Sequence, residues 1–193
     1  MNSESDGAAV ARLHKGDQAA LEEIYQRYSR AVYSLSFRIL REAALSEDVV
    51  QEVFLRLWRQ PTAYDAARGT LSSWLMSVAH HRSIDMLRRR KTRAEQSLPD
   101  DWAADHIVEN GALDPADMAG QQDEAAAIRR AMTLIPLEQR KAIEMAFFQG
   151  KTHAEISAEL NEPLGTAKTR IRLGMRKLRT LLEAEGITVG ASE

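Results

Sequence analysis

A chain of 193 residues with 44% hydrophobic and 28% charged residues and a formal net charge of −2 has the make-up of a soluble globular protein, one domain or two small ones. It has no cysteine, which excludes a disulfide framework, a thiolate nucleophile and a cysteine-based zinc site. The start, MNSESDGAAV, lacks a basic segment followed by an apolar one, and no stretch approaches about 18 consecutive apolar residues, so the expectation is a cytoplasmic protein with no membrane-inserted segment.

Residues 1–16 read as an N-terminal tail and residues 17–94 as a first helical domain. In that domain Leu21, Ile24, Tyr25, Tyr28, Val32, Leu35 and Ile39 recur at steps of three and four, the period of a helix with one buried face. Val50, Val53, Phe54, Leu57 and Trp58 repeat the pattern in a second helix starting near Ser46, where Asp48 favours the helix dipole. Its polar face holds Asp48, Gln51, Glu52 and Arg59. Leu71, Trp74, Leu75 and Val78 open another helix after Gly69, with Thr70 as N-cap. That helix runs into a basic block: from His80 to Arg93 the charges are Arg82, Arg88, Arg89, Arg90, Lys91 and Arg93 against Asp85.

Residues 95–123 read as an acidic linker, since Ala94 to Ile128 contains no Lys or Arg and carries Pro99, Gly111, Pro115 and Gly120. Its Trp102, Ile107, Val108 and Leu113 leave open whether it docks or is a solvated tether. Residues 124–185 read as a second helical domain, followed by a tail at 186–193. There Pro136 suits a first helical turn, Ala142, Ile143, Ala146 and Phe147 make a buried stripe, and Gly150 suits a helix end. Thr152 and Glu155 have capping-box spacing, and Asn161 and Pro163 supply a turn.

A last helix follows at once. Leu164, Ala167, Ile171, Gly174, Leu178 and Leu181 share a buried seam, with small Gly174 admitting a neighbouring helix closely. Off that seam lie Lys168, Thr169, Arg170, Arg172, Arg176, Lys177 and Arg179. Cap, turn and charge asymmetry together predict a helix-turn-helix whose second helix enters the major groove, its cations toward phosphates and its first turns toward base edges. The expected fold is all-α, two small helical domains of four helices each, joined by the acidic linker. A near-neutral total built from segregated blocks implies partners of both signs, or one block screening the others.

No nucleophile–base set, phosphate loop or metal cluster appears, so no enzyme and no cofactor are expected. Adjacent His80 and His81 point about 100° apart on a helix and have no third ligand nearby, so no metal site is expected either.

The stretch LIPLEQRKAIEMAFFQGKTHAEISAELNEPLGTAKTRIRLGMRKLR closely resembles region 4 of bacterial sigma-70-type sigma factors, particularly the extracytoplasmic-function (ECF) group. The matching residues are Ile135-Pro136, Gln139-Arg140, Gly150-Lys151-Thr152, Glu155-Ile156 and the run from Pro163 through Gly165, Thr166, Lys168, Thr169 and Arg170. The resemblance implies that Lys168, Thr169, Arg172 and Leu173 read the −35 promoter element and that Arg170 and Arg176 contact phosphates. Family members vary at Arg172 and Leu173, so the bases read are not fixed by it.

SEDVVQEVFLRLWR is similar to region 2.2, with Asp48, Gln51 and Glu52 keeping its D-x-x-Q-E pattern. This implies that those three residues grip the β′ clamp helices of core RNA polymerase. PTAYDAARGTLSSWLMSVAHHRSIDMLRRRK resembles regions 2.3–2.4, including the D-x-x-R-G run Asp65 to Gly69. The implication is a loop near Gln60 to Thr70 that captures a base flipped from the −10 non-template strand, at an unstacking cost of about a few kcal/mol that a pocket and cationic support must offset. Tyr64, Ser77, His80, His81, Arg82, Asp85, Arg88 and Arg89 are the implied −10 contacts. His81 stands where many relatives carry a polar base-contacting residue, often Asn. Tyr64 is open between anchoring the loop and touching DNA.

As a family member the chain would recruit core polymerase through the β′ clamp helices and the β flap, bind promoter DNA, and be held by an anti-sigma factor, often membrane-tethered. With no cysteine here, a redox or zinc trigger would reside in that partner. Two other classes compete on sequence alone. A dimeric helix-turn-helix regulator would need a dimerisation or sensing segment upstream, and an interaction module would use the basic helix on acidic partners.

Overall fold

The computed structural model describes residues 2–96 and 119–187, and among these every regular element is helical. They fall into two compact units, 2–96 and 119–187. Residues 97–118, the centre of the expected acidic linker, and 188–193 of the expected C-terminal tail lie outside the described residues.

The first unit begins where a tail is expected. Residues Asn2–Leu13 form helix α1, and Ala9, Val10 and Leu13 are buried in the same core as the next helix. Its Asp6 is buried too, and a buried carboxylate requires partners. Tyr28 Oη donates to it at 2.6 Å and Arg27 forms an ion pair with it, while Arg27 also reaches Glu23 at 2.8 Å. Burial and the neighbouring Asp6 carboxylate push the Tyr28 hydroxyl pKa up.

Helix α2 (Gln18–Leu40) is capped by Asp17, whose carboxylate accepts from the Ala19 amide, and ends at Arg41 in the left-handed region. Its buried face follows the expected spacing through Ile24, Tyr28, Val32 and Ile39, but Tyr25 is exposed, its ring edge-on to Phe54. Helix α3 (Ala43–Arg59) starts three residues before the expected Ser46. Ser46 is buried inside its first turns and donates to the Glu42 carbonyl at 2.6 Å, so Asp48 sits in the second turn.

Two single-turn 3-10 segments, Pro61–Ala63 and Ala66–Arg68, lead to helix α4 (Leu71–Gln96). Thr70 caps α4 as expected, its Oγ1 accepting from the Ser73 amide at 3.1 Å. α2, α3 and α4 pack around Val32, Val49, Val53, Leu57, Leu71 and Leu75.

The second unit has helices α5 (Ala119–Thr133), α6 (Leu137–Phe147), α7 (His153–Glu159) and α8 (Leu164–Ala184). α6 begins after Pro136 and stops before Gly150, which takes φ 63 and lets the Lys151 amide reach back to the Met145 carbonyl at 3.1 Å. Ala142 and Ile143 are buried as expected, but Phe147 is exposed and Met145 takes the inner place. One small cluster joins α6, α7 and α8 through Ala142, Met145, Ile156 and Ala167, and another joins α5 to α8 through Ala127, Ala131 and Leu182.

Candidate nucleic-acid interface

The α7–α8 pair is built as a helix-turn-helix. Thr152 and Glu155 complete the predicted capping box, each side chain bonding the other's backbone amide. The turn between the helices is fixed by Asn161 at φ 50 and by Ser157, whose hydroxyl donates to the Glu162 carbonyl at 2.5 Å. Pro163, with no amide to leave unpaired, stands at the entrance of α8.

The seam of α8 is Ala167, Ile171, Gly174, Leu178 and Leu181, with Leu182 buried beside it; Leu164, expected on the seam, is exposed. Gly174 lies so close to α6 that a Cβ built on it would stand 2.7 Å from Ile143 Cδ1 and 3.1 Å from Gln139 Cβ. The approach predicted from its size is therefore tight.

The opposite side carries the charge. Lys168, Thr169, Arg172 and Arg176 are exposed, and Lys168, Arg172 and Arg176 recur every four residues on one stripe. Leu173 is half-buried. Arg170 departs from the rest. It is partly covered and bonds Glu162 at 2.8 Å and Glu138 at 3.1 Å, tying α8 to the turn and to α6. Its charge is thus balanced within the unit, and sequence reasoning missed this because Glu138 is 32 residues away.

In the first unit, Asp48, Gln51 and Glu52 are all exposed on α3, as the spacing predicts. The loop from Gln60 to Thr70 is pinned from both ends. Tyr64 Oη donates to the Gly69 carbonyl at 3.1 Å, and its ring packs edge-on to Trp74 with centroids 6.3 Å apart. Burial, with Asp6 and Asp65 nearby, pushes the Tyr64 pKa up. Of the two roles left open for Tyr64, this geometry supplies the anchoring one.

Asp65 caps the second 3-10 turn through the Ala67 amide, and Gly69 adopts φ 148, ψ −177, a conformation essentially confined to glycine. The D-x-x-R-G run therefore has a local physical reason at its first and last residues.

Along α4, Ser77, His81, Asp85, Arg88 and Arg89 are exposed and His80 is half-buried. His81 Nδ1 lies 2.7 Å from the Ser77 carbonyl. Among the described residues no group of three His, Asp or Glu side chains could hold a metal ion. Two basic side chains of α4 are engaged by acids: Arg82 with Glu52 of α3 at 2.6 Å, and Arg90 with Glu42, which precedes α3, at 3.0 Å.

Comparison with known proteins places each unit. The family model described as Sigma-70 region 2 matches residues 24–93, and that described as Sigma-70, region 4 matches residues 125–178. The ECF RNA polymerase sigma factor SigK of Mycobacterium tuberculosis is 33% identical over 181 residues, spanning 91% of this chain and 92% of the relative. RpoE of Cereibacter sphaeroides, another ECF RNA polymerase sigma factor, is 34% identical over 165 residues, spanning 84% and 86%. Among solved structures, Rhodobacter sphaeroides SigE in complex with the anti-sigma ChrR aligns at 27% identity over 91% of this chain and 99% of that one, with a TM-score of 0.47.

A helical protein of two units, one of them carrying a helix-turn-helix, is the class the geometry defines. The chain belongs to the sigma-70 family of RNA polymerase sigma factors, in its ECF group. It is by family a transcription initiation factor, and no helix among its described residues is long and apolar enough to cross a membrane.

Proposed function

We propose that this chain binds core RNA polymerase, recognises a two-part promoter and promotes strand opening, without catalysing a reaction itself. Asp48, Gln51 and Glu52 form the surface for the β′ clamp helices, and the second unit meets the β flap. The observation that carries this reading is the presence of both sigma regions, one on each helical unit.

On the promoter, Lys168, Thr169, Arg172 and Leu173 address the −35 bases and Arg176 the backbone. The exposed stripe at the start of α8 supports this, since a groove-bound helix needs unpaired cations outward. Arg170, assigned to a phosphate by resemblance, would reach one only while holding or exchanging its two carboxylates. The loop anchored by Tyr64 captures a flipped −10 base, and Ser77, His80, His81, Arg82, Asp85, Arg88 and Arg89 line the path of the melted strand.

The units extend over residues 17–94, with α1 now added to the first, and 124–185. The acidic segment that joins them spans 95–123, of which 97–118 lie outside the described residues. An anti-sigma factor, membrane-tethered as is common in the group, holds the chain inactive in the cytoplasm.

Run-off transcription with purified core polymerase on a library of genomic fragments tests the reading. Initiation at a defined subset of fragments, dependent on this chain, is the expected result. Core polymerase that initiates no differently when the chain is added would overturn it.

A further inference from the structure

Two surfaces with separate proposed partners meet in one ion pair. Glu52 leaves α3 beside Asp48 and Gln51, whereas Arg82 leaves α4 at the head of the basic run. Arg82 Nη2 donates to Glu52 Oε1 at 2.6 Å, and its buried Nε lies against Oε2 in the same ion pair without donating a hydrogen bond to it. While that pair is closed, Glu52 has one oxygen committed and its charge offset, and Arg82 offers a phosphate less net charge.

The pair is also placed to open. Its side chains are 29% and 46% exposed, so the Nη2–carboxylate bond can exchange partners near solvent while Nε stays buried. The Arg170–Glu162 pair of the second unit differs, because that carboxylate side chain is 9% exposed and losing its cation would strand a buried charge.

We propose that Glu52–Arg82 is a latch coupling polymerase binding to DNA binding. A cation of the polymerase takes Glu52 and thereby releases Arg82 for the −10 strand. By linkage, DNA that takes Arg82 frees Glu52 for polymerase to the same extent. The inference rests on the reading of α3 as the polymerase surface and α4 as the DNA surface.

The test uses the full chain and a fluorescently labelled single-stranded DNA oligonucleotide, with anisotropy measured over a salt series and no polymerase present. Glu52→Gln should bind about two- to five-fold more tightly than the unmodified chain, the size of a partly exposed ion pair. Its salt slope should steepen by about 0.7, one phosphate's worth on a single strand. Adding Arg82→Gln should abolish both gains. Asp48→Asn removes an equal charge from a carboxylate that has no ion pair among the described residues, and should leave the slope unchanged.

A gain equal in Glu52→Gln and Asp48→Asn, no gain in either, or a gain that survives Arg82→Gln would overturn the latch. A second measurement is affinity for core polymerase without DNA. Arg82→Gln should tighten it about two- to five-fold, since nothing then has to be opened, and unchanged or weaker affinity counts against the coupling. Failure of the polymerase surface reads separately: Asp48→Asn and Gln51→Ala would both leave core affinity intact, whatever the oligonucleotide shows.

Discussion

The two units solve the same problem with different materials. The first closes around large aliphatic and aromatic side chains from all of its long helices, and it also buries Asp6, Ser36, Ser46 and Ser83. Each of those serines donates to the carbonyl four residues back, and Asp6 is met by Tyr28 and Arg27. The second unit mixes Ile135, Ile143, Met145, Ile156 and Leu182 with Ala127, Ala131, Ala142, Ala167 and Gly174, the small residues letting backbones approach. The first unit relies on side-chain volume alone, whereas the second adds a close helix approach at Gly174. The basic faces differ in parallel, since Glu52 and Glu42 engage Arg82 and Arg90 whereas Lys168, Arg172 and Arg176 stand clear.

Ile156→Ala should have the largest effect. This fully buried residue is the main aliphatic side chain of its small cluster, so its loss costs about 2–5 kcal/mol and unfolds the helix-turn-helix first. Residues 119–187 contain no tryptophan, so in a Trp102→Phe background far-ultraviolet circular dichroism should lose amplitude before the fluorescence of Trp58 and Trp74 changes. Coincident loss of both signals would break the picture of two separately held units.

Gly174→Val comes next, at about 1–3 kcal/mol for overpacking against Ile143 and Gln139. Thermal melts should show it confined to the second unit, and binding to −35 DNA should fall while affinity for core polymerase through α3 persists. Arg172→Ala, on the exposed stripe, should leave the melt unchanged and relax preference at one −35 position by about 1–3 kcal/mol, read by competition among single-base promoter variants. An unaltered base preference would remove Arg172 from the reading set.

The smallest effect is expected in the first unit. Tyr28→Phe deprives the buried Asp6 carboxylate of one donor and should cost about 1–2 kcal/mol in urea unfolding. The same contact fixes a pH dependence. Because the Tyr28 pKa is raised in the folded protein, its contribution is fully present below the ordinary tyrosine range and is lost as pH rises above about 10. The alkaline decline attributable to this group should vanish in Tyr28→Phe.

Sequence alone carried α2, α3, α4, α6, α7 and α8, because period, caps and turn residues agree locally at Thr70, Thr152, Glu155, Asn161 and Pro163. It also located Gly174, where size alone implies a close neighbour. It did not reveal α1. NSESDGAAVARL has a glycine in its interior and only Val10 and Leu13 as larger aliphatics, so its helix depends on α2 and on the Asp6 contacts rather than on its own pattern. Periodicity also assigned Tyr25, Phe147 and Leu164 to buried faces, yet spacing gives only the direction of a stripe and the packed neighbour sets how far burial extends. The ion pairs of Arg82, Arg90 and Arg170 join residues 30, 48 and 32 apart, a relation no local window contains.

The docking of α1 bears on how this lobe can be isolated. A fragment trimmed to the matched segment, starting at residue 24, would strip Ala9, Val10, Leu13 and Ala20 from the apolar interior and leave Tyr28 and Arg27 without their carboxylate. Such a piece would present a sticky stripe along its longest remaining edge and precipitate or pair with itself, whereas one beginning at Asn2 should stay monodisperse.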